Sequence, residues 1–375
     1  QRINTLKAAC QQIEKDKSRT VTQLDLKRLD LGDELIIRLM QALTKNTVVT
    51  KIVLSDNGLT QAVVEPILNC LSKNQTLRKI KFGCESNING ESIKRIEDIL
   101  RPRRFCFSIQ ETCWPRQPIK TVEAACQLIE ENKVATLNFS YRALGDELII
   151  RLMQSLKKNT VATRIYLSDN GLTQAVVEPI LDCLSKNRSL LRIDLEFWNN
   201  INKESIKRIE VALRLNRFCD PIQKAYKPSQ PINTIKAACQ LIEKDKNRTV
   251  TQLDFSGLDL GDELIIRLMQ PLKKNTVVTK IILSDNGLTQ AVIEPILNCL
   301  SENQSLLRIV LFSSFRFYRF DDYYDSRITR ENRKKIEVIL RPRRFCASIQ
   351  NIYKPNSPIH TLKVAYEQIA KDKRK

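Results

Sequence analysis

A repeated sequence is the feature that most constrains what this chain can fold into. Ten residues, LGDELIIRLM, recur identically at 31–40, 144–153 and 260–269. A second stretch, SDNGLTQAV, recurs at the same spacing. Repeated units of this kind bury their apolar faces against their neighbours, so a chain built from them is extended by stacking. We divide the sequence into long repeats at 1–113, 114–229 and 230–357, with a partial fourth at 358–375.

A shorter period of 28 or 29 residues lies inside each long repeat and begins with a predicted strand. Residues 49–59 read VTKIVLSDNGL, in which apolar residues alternate as they do in a strand with one buried face. Ile52 and Leu54 are therefore predicted to point inward. Asn57 is predicted to satisfy backbone groups of the following turn, and Leu59 to close the core.

A helix is predicted after each strand. Apolar residues in 35–43 recur at spacings of three and four, which gives one apolar stripe. Asp33 and Glu34 precede that stripe and would complement the positive end of the helix dipole. Pro66 is tolerated only near a first helical turn, so the next helix should begin late.

A short strand, then Leu-Gly-Asp, then a helix resembles a leucine-rich repeat of the ribonuclease-inhibitor type. The resemblance implies an α/β solenoid, or horseshoe, of about 13 units with a parallel β-sheet on the concave face and helices on the convex face. Three of every four units match. The fourth lacks the strand signature and carries paired prolines, at 106–118, 219–231 and 346–358. The repeats also resemble leucine-rich-repeat effectors that intracellular bacteria such as Legionella deliver into host cells.

The ends of the chain fall at the same part of the long repeat, because residues 1–20 match 230–249 and residues 358–375 match 231–248. We therefore expect a piece of a longer protein.

Charge and cysteine usage indicate the setting in which the chain works. The net charge is +20, which favours acidic partners. Short basic clusters such as Arg101-Pro-Arg-Arg104 are interpreted as solvated helix faces. The eleven cysteines mostly occupy equivalent positions of different long repeats, too far apart for disulfides, so they are predicted to be thiols in a reducing compartment. This predicts a cytoplasmic location, or the host cytoplasm for a secreted effector.

Catalytic chemistry finds no support in the sequence. The single histidine, His360, occupies a position where the other copies carry Asn4, Lys120 and Asn233. No Cys-x-x-Cys pair, P-loop or Gly-x-Gly-x-x-Gly motif is present. We predict no catalytic residue, no metal and no cofactor, and hence that the chain is not an enzyme.

Two features predict a binding surface instead. Within the constant framework of the strands, the residues expected on the concave face change between copies, as from Val53 to Tyr166 to Ile282. The third long repeat also carries an insertion, FSSFRFYRFDDYYDSR at 312–327, in which aromatic residues alternate with arginine and aspartate. Aromatic and arginine side chains are common anchors of protein interfaces.

The sequence thus predicts a scaffold that binds another protein, with an acidic surface, as inhibitor, adaptor or host-targeting effector. Two alternatives are nucleic acid or anionic lipid bound through the basic surface, and a recognition module of a longer enzyme. The predicted partner-binding residues are Lys27, Arg28, Lys51, Val53, Asp56, Tyr141, Arg164, Tyr166, Asp169, Arg192, Asp194, Lys280, Ile282, Asp285, Arg308, Phe315, Arg316, Phe317, Tyr318, Phe320, Tyr323 and Tyr324.

Overall fold

The computed structural model divides the chain into two compact units. It describes residues 21–115, 117–131, 134–195, 199–232, 234–245, 250–311, 328–355 and 357–372. The first unit comprises Gln1–Asn187 and Arg192–Ile206, and the second comprises Arg188–Leu191 and Lys207–Lys375.

The first unit holds two separate parallel sheets, each with three strands of three residues. Their strands are β1 (Gln23–Asp25), β2 (Lys51–Val53), β3 (Lys79–Lys81), β4 (Thr136–Asn138), β5 (Arg164–Tyr166) and β6 (Arg192–Asp194), paired in the orders β1-β2-β3 and β4-β5-β6. Its helices are α1 (Gly32–Leu43), α2 (Val64–Lys73), α3 (Gly90–Cys113), α4 (Val122–Glu130), α5 (Gly145–Leu156) and α6 (Val177–Lys186).

The second unit repeats the same order once. Its parallel sheet consists of β7 (Gln252–Asp254), β8 (Lys280–Ile282) and β9 (Arg308–Val310). Its helices are most of α7 (Lys203–Tyr226), then α8 (Ile235–Lys244), α9 (Gly261–Lys274), α10 (Ile293–Glu302), α11 (Arg330–Tyr353) and α12 (Leu362–Asp372). Each unit has a leucine- and isoleucine-rich core of its own beneath these sheets.

The framework residues of β2 and the turn after it lie where the sequence predicts. Ile52, Leu54 and Leu59 are buried. The Asn57 side chain is buried too, and its Nδ2 donates to the carbonyl oxygens of Leu26 and Leu54 at 2.8 and 3.0 Å. Asn170 and Asn286 make the same bonds in the later repeats. These asparagines satisfy turn backbone that would otherwise be buried without partners.

The helix starts also follow the sequence, with one addition. Asp33, in the first turn of α1, accepts hydrogen bonds from the backbone N–H and the hydroxyl of Thr60 at 2.9 and 2.5 Å, so it links two successive 28-residue repeats. Thr60 caps a short 3₁₀ helix, and α2 begins only at Val64. Pro66 therefore falls in the first turn of α2, as its missing N–H requires.

The predicted leucine-rich-repeat horseshoe, with one continuous concave sheet of about thirteen strands, is wrong. Helices make up 55% of the described structure, and its nine short strands form three separate three-stranded parallel sheets. The reason lies in the fourth segment of each long repeat. There the chain continues as a helix of 24 residues, α3 in the first repeat and α11 in the third, where a fourth strand would have to lie.

Long-range contacts hold α3 in that position. The Arg104 guanidinium donates to the carbonyl oxygens of Arg78, beside β3, and Ala143, beyond β4, both at 3.0 Å. It also pairs with Glu97. Phe105, the next residue, stacks on Phe139 with ring centroids 5.4 Å apart. These side chains occupy the space between β3 and β4, so the two sheets cannot merge.

The interpretation of Arg101-Pro-Arg-Arg104 as a solvated face is therefore wrong for two of its arginines. The Arg104 side chain is only 5% exposed. Arg103 is half-buried and donates to the carbonyl oxygens of Leu77 and Leu71 at 3.0 and 2.6 Å. Arg344 and Arg343 make the corresponding bonds in the third repeat. These arginines satisfy the backbone at the edge of each sheet.

Candidate functional site

Alternation along the strands positions the candidate site. In β2 the Ile52 side chain is buried, whereas Lys51 and Val53 on either side are partly exposed. Lys51 lies in register with Gln23 and Lys79, and Val53 lies in register with Asp25 and Lys81. The outward side chains of each sheet thus form two columns of three, which we name the first and second columns.

The first columns have the same chemistry in all three sheets: a neutral polar residue followed by two basic ones. Their members are Gln23, Lys51 and Lys79; Thr136, Arg164 and Arg192; Gln252, Lys280 and Arg308. Neighbouring strands lie about 4.8 Å apart, and like charges directly opposite destabilise a sheet. Among the described residues, none of these six cations has a carboxylate within 4.0 Å. Lys51 donates to Oε1 of Gln23 and Arg164 donates to the hydroxyl of Tyr166, both at 3.2 Å, so the partners seen for these cations are neutral groups.

Lys79 stands in positive surroundings in the first sheet. It is half-buried, and burial lowers the pKa of its ammonium group. The charges of Lys81, Arg104 and Lys51 lower that pKa further, and Asp169 opposes them. An ammonium group in such a field gains more from a bound anion than an isolated surface lysine does.

The second columns differ from sheet to sheet. They read Asp25, Val53 and Lys81; Asn138, Tyr166 and Asp194; Asp254, Ile282 and Val310. In the second sheet the hydroxyl of Tyr166 accepts a hydrogen bond from Arg164 at 3.2 Å. The Asp194 carboxylate accepts one from Ser168 at 3.1 Å. The columns thus combine a constant basic pair with a neighbour that varies from sheet to sheet.

Several predicted residues lie in the turns after the strands, and their backbone gives them a local reason. Asp56, Asp169 and Asp285 have φ of 59°, 54° and 58°, in the left-handed region that aspartate tolerates. Arg28 pairs with Asp56 at 3.2 Å, but its side chain is 75% exposed, so the pair contributes little stability. Lys27 is exposed beside it. A role of these residues in binding stays a prediction.

Tyr141 lies at a turn position that has positive φ in all three long repeats. Its φ is 63° and 62% of it is exposed. Its counterparts in the other long repeats are Arg28 and Gly257. A large exposed ring held at such a backbone position, in the same unit as Tyr166, is suited to contact with another protein.

Sequence reasoning missed a further group of residues between β3 and β4. Arg78 precedes β3, Phe107 lies on α3 and Arg142 follows β4. The Arg78 guanidinium lies 3.3 Å from the Phe107 ring centroid and that of Arg142 lies 5.7 Å from it. No periodic pattern marks these residues. The available signal was that both arginines replace leucine, since Leu191 and Leu307 occupy the position of Arg78, and Leu29 and Leu258 that of Arg142.

In the second unit a cavity of about 390 Å³ lies along β9. It is lined by Arg308, which the sequence predicts as a binding residue, and by Val310, Glu337 and Arg344. The remaining predicted residues, Phe315, Arg316, Phe317, Tyr318, Phe320, Tyr323 and Tyr324, lie outside the described residues.

Other kinds of site find no residues in the part of the chain that the structure describes. It contains no group of three or more His, Cys, Asp or Glu side chains that could hold a metal ion. Its ten cysteines, from Cys70 to Cys346, are free thiols. None of its helices is long and apolar enough to cross a membrane.

Comparison with known proteins supplies no family. No family model and no curated protein sequence matches the chain. Similar solved structures include the tropomodulin C-terminal domain of Caenorhabditis elegans, with 12% identity over 56% of this chain and 92% of that one, at a TM-score of 0.19. Another is actin-binding site 2 of leiomodin-1, with 11% identity over 58% of this chain and 95% of that one, at 0.20.

A third is the yeast complex of Rad7 and Elc1, with 12% identity over 80% of this chain and 72% of that one, at 0.23. Such low TM-scores carry no argument on fold or function. The resemblance to ribonuclease-inhibitor-type repeats and to bacterial effectors stays a prediction.

Proposed function

We propose that this chain binds a folded protein with an acidic surface through the outward columns of its sheets. One observation carries the proposal. Each sheet places two basic residues directly opposite one another, and none of the six has a carboxylate partner among the described residues. Three sheets retain an arrangement that costs stability, and acidic groups of a partner would turn that cost into attraction.

The second columns would give the interaction its selectivity. Val53 and Lys81, Tyr166 and Asp194, and Ile282 and Val310 stand beside similar basic pairs, so each sheet offers a different neighbour to an incoming acidic group. Tyrosine and arginine are frequent anchors of protein interfaces, which favours the second sheet as the strongest contact. The aromatic insertion at 312–327 belongs to the proposal as a further anchor, on its sequence alone.

Nucleic acid and anionic lipid would also be attracted by a net charge of +20. A phosphate backbone, however, is bound by cations whatever their neighbours, whereas here each basic pair has different polar or apolar residues beside it. We therefore place a protein partner first. A role as the recognition module of a longer enzyme is compatible with the same surface.

The test begins with capture of proteins from a cytosolic lysate and continues with the purified partner. Its affinity is measured by calorimetry for the wild-type chain and for Lys51→Gln/Lys79→Gln and Arg164→Gln/Arg192→Gln. A matched control, Lys73→Gln/Lys94→Gln, removes two charges from the exposed sides of α2 and α3. We expect each column variant to weaken binding about tenfold, the equivalent of about 1.4 kcal/mol, and the control to change it less than about twofold.

Two results would overturn the proposal. One is equal affinity of the column variants and the control. The other is tight binding of a random-sequence oligonucleotide or an anionic vesicle that competes with the protein, with affinity falling steeply as salt rises.

A further inference from the structure

An arginine–phenylalanine cluster, made of Arg78, Phe107 and Arg142, lies in the first unit where a fourth strand is missing. Arg78 stacks over the Phe107 ring at 3.3 Å, and Arg142 approaches the same ring at 5.7 Å. Arg142 also pairs with Glu111 at 2.8 Å. One aromatic ring thus holds two guanidinium groups, with a single carboxylate beside them.

The charge of the cluster is not balanced. Arg78 is half-buried, and among the described residues no carboxylate lies within 4.0 Å of its guanidinium. Burial lowers the pKa of Arg78, the nearby Glu111 raises it and Arg142 lowers it again. Lys79, the next residue, belongs to the first column. The cluster therefore extends that basic column into the space between β3 and β4.

The fold does not require these side chains. The other long repeats carry Leu191 and Leu307 at the position of Arg78, and Leu29 and Leu258 at the position of Arg142. Asp220 and Ala347 replace Phe107. A position that leucine fills twice in the same architecture needs no arginine for packing. The junction of the first and second long repeats therefore keeps this cluster for some other reason.

We propose that the cluster is a carboxylate-binding site, which takes an aspartate or glutamate side chain of the protein partner. This proposal rests on the proposed function and names the point at which one acidic residue is recognised. A guanidinium group offers two parallel N–H donors to a carboxylate, and stacking on Phe107 fixes the plane of those donors before the ligand arrives. The bound carboxylate balances the second positive charge of the cluster, which Glu111 does not neutralise.

The experiment uses a fluorescein-labelled octaglutamate peptide as the probe and octaglutamine as its neutral control. The key variant, Arg78→Leu/Arg142→Leu, copies the residues of the other repeats. It is compared with Lys73→Gln/Lys94→Gln, which changes the net charge equally. We expect the leucine variant to weaken octaglutamate binding about tenfold and the lysine control to weaken it less than about twofold, measured by fluorescence anisotropy.

A second variant separates a shaped site from a general positive field. Arg78→Lys keeps the charge but loses the planar pair of donors, so we expect about a threefold to fivefold loss of affinity. Far-UV circular dichroism and the urea midpoint check that each variant is folded.

Wild-type affinity of Arg78→Lys, or equal losses in the leucine variant and the lysine control, would overturn the site. Neither result depends on the protein partner. Failure of the column variants in the previous experiment would instead overturn the proposed function while octaglutamate binding by the cluster persists.

Discussion

The helices α3 and α11 contain the same eight residues, ILRPRRFC, at 99–106 and 339–346, yet the two copies stand in different surroundings. Within its own long repeat each copy makes similar bonds. Arg104 donates to the carbonyl oxygen of Arg78 at 3.0 Å, and Arg344 donates to that of Leu307 at 3.1 Å. Each of these arginines also pairs with a glutamate seven residues earlier in its helix.

The two copies differ in their contacts with the residues that follow their own long repeat. In the first unit Arg104 also bonds Ala143, beyond β4, and its side chain is 5% exposed, whereas Arg344 is 36% exposed beside the cavity along β9. Phe105 is fully buried against Phe139, and Phe345 is only half-buried against Tyr366. An identical sequence is thus a core element in one place and a partly accessible edge in the other.

The largest difference is expected when the two equivalent phenylalanines, Phe105 and Phe345, are each replaced. Phe105→Ala should lower the free energy of unfolding of the first unit by about 3–5 kcal/mol, because it empties a fully buried site. Phe345→Ala should cost clearly less, since its ring is only partly buried. Urea unfolding with hydrogen-exchange mass spectrometry on peptides of α3 and α11 reports each helix. Equal losses would mean that the following sheet adds nothing to the stability of α3.

The paired arginines should give the next largest difference. Arg104→Ala leaves the carbonyl oxygens of Arg78 and Ala143 without their buried donor, and leaves Glu97 with only Arg101, at 3.8 Å; this should cost about 3–5 kcal/mol. Arg344→Ala removes a partly exposed pair and should cost no more than about 1 kcal/mol. The same unfolding measurement applies. A larger loss for Arg344→Ala would contradict the difference in burial.

Cysteine reactivity should distinguish the buried thiol of α3 from an exposed thiol. The free-energy difference expected here is smaller than for the phenylalanines. Burial, and then the neighbouring Cys126, raise the pKa of the Cys106 thiol to about 11. Only the thiolate is alkylated, so at pH 8 Cys106 should react about a hundredfold more slowly than a thiol with a pKa near 9. Cys84 is exposed and should be modified first. Mass spectrometry of iodoacetamide-treated protein gives both rates.

The direction in which stability changes with pH provides a second test of the same thiol. Cys106 is neutral in the folded chain up to about pH 11 and ionises at lower pH once unfolded, so its contribution to stability is lost as the pH rises from about 9 to 11. Cys106→Ala should flatten that part of the pH dependence of unfolding. An unchanged slope, or rapid alkylation of Cys106 in the folded protein, would contradict its burial.

Arg78→Leu should have the smallest effect on stability, although it lies beside the same helix. Leucine already occupies this position in the other long repeats, so we expect a change within about 0.5 kcal/mol. A loss of more than about 2 kcal/mol would make Arg78 a structural residue like Arg104. Arg78 would then be explained by its contribution to stability, and the carboxylate-binding site would lose its support.

The sequence alone was sufficient for the buried strand residues, the asparagine of the turn and the late start of α2. Alternation identified Ile52 and Leu54 as buried, the turn chemistry predicted that Asn57 satisfies backbone groups, and Pro66 predicted the late start of α2. These features depend on residues within one 28-residue repeat or the next one, and the short period of the sequence reveals that spacing. The exposed strand residues were also found this way, because strand alternation fixes which side chains face outward.

The tertiary structure alone decided what the fourth segments become and what they bring together. Phe105 stacks on Phe139, a pairing that recurs between Phe218 and Phe255. Arg104 bonds Arg78 and Ala143, and two arginines lie near the Phe107 ring. These contacts join residues 26 to 39 positions apart. The strand and helix periodicities of the sequence do not mark these contacts, so the segment was interpreted as a degenerate unit of a continuous sheet. Packing against the next sheet made it a helix that divides the sheets, and in doing so placed an unbalanced pair of guanidinium groups beside the basic column of β3.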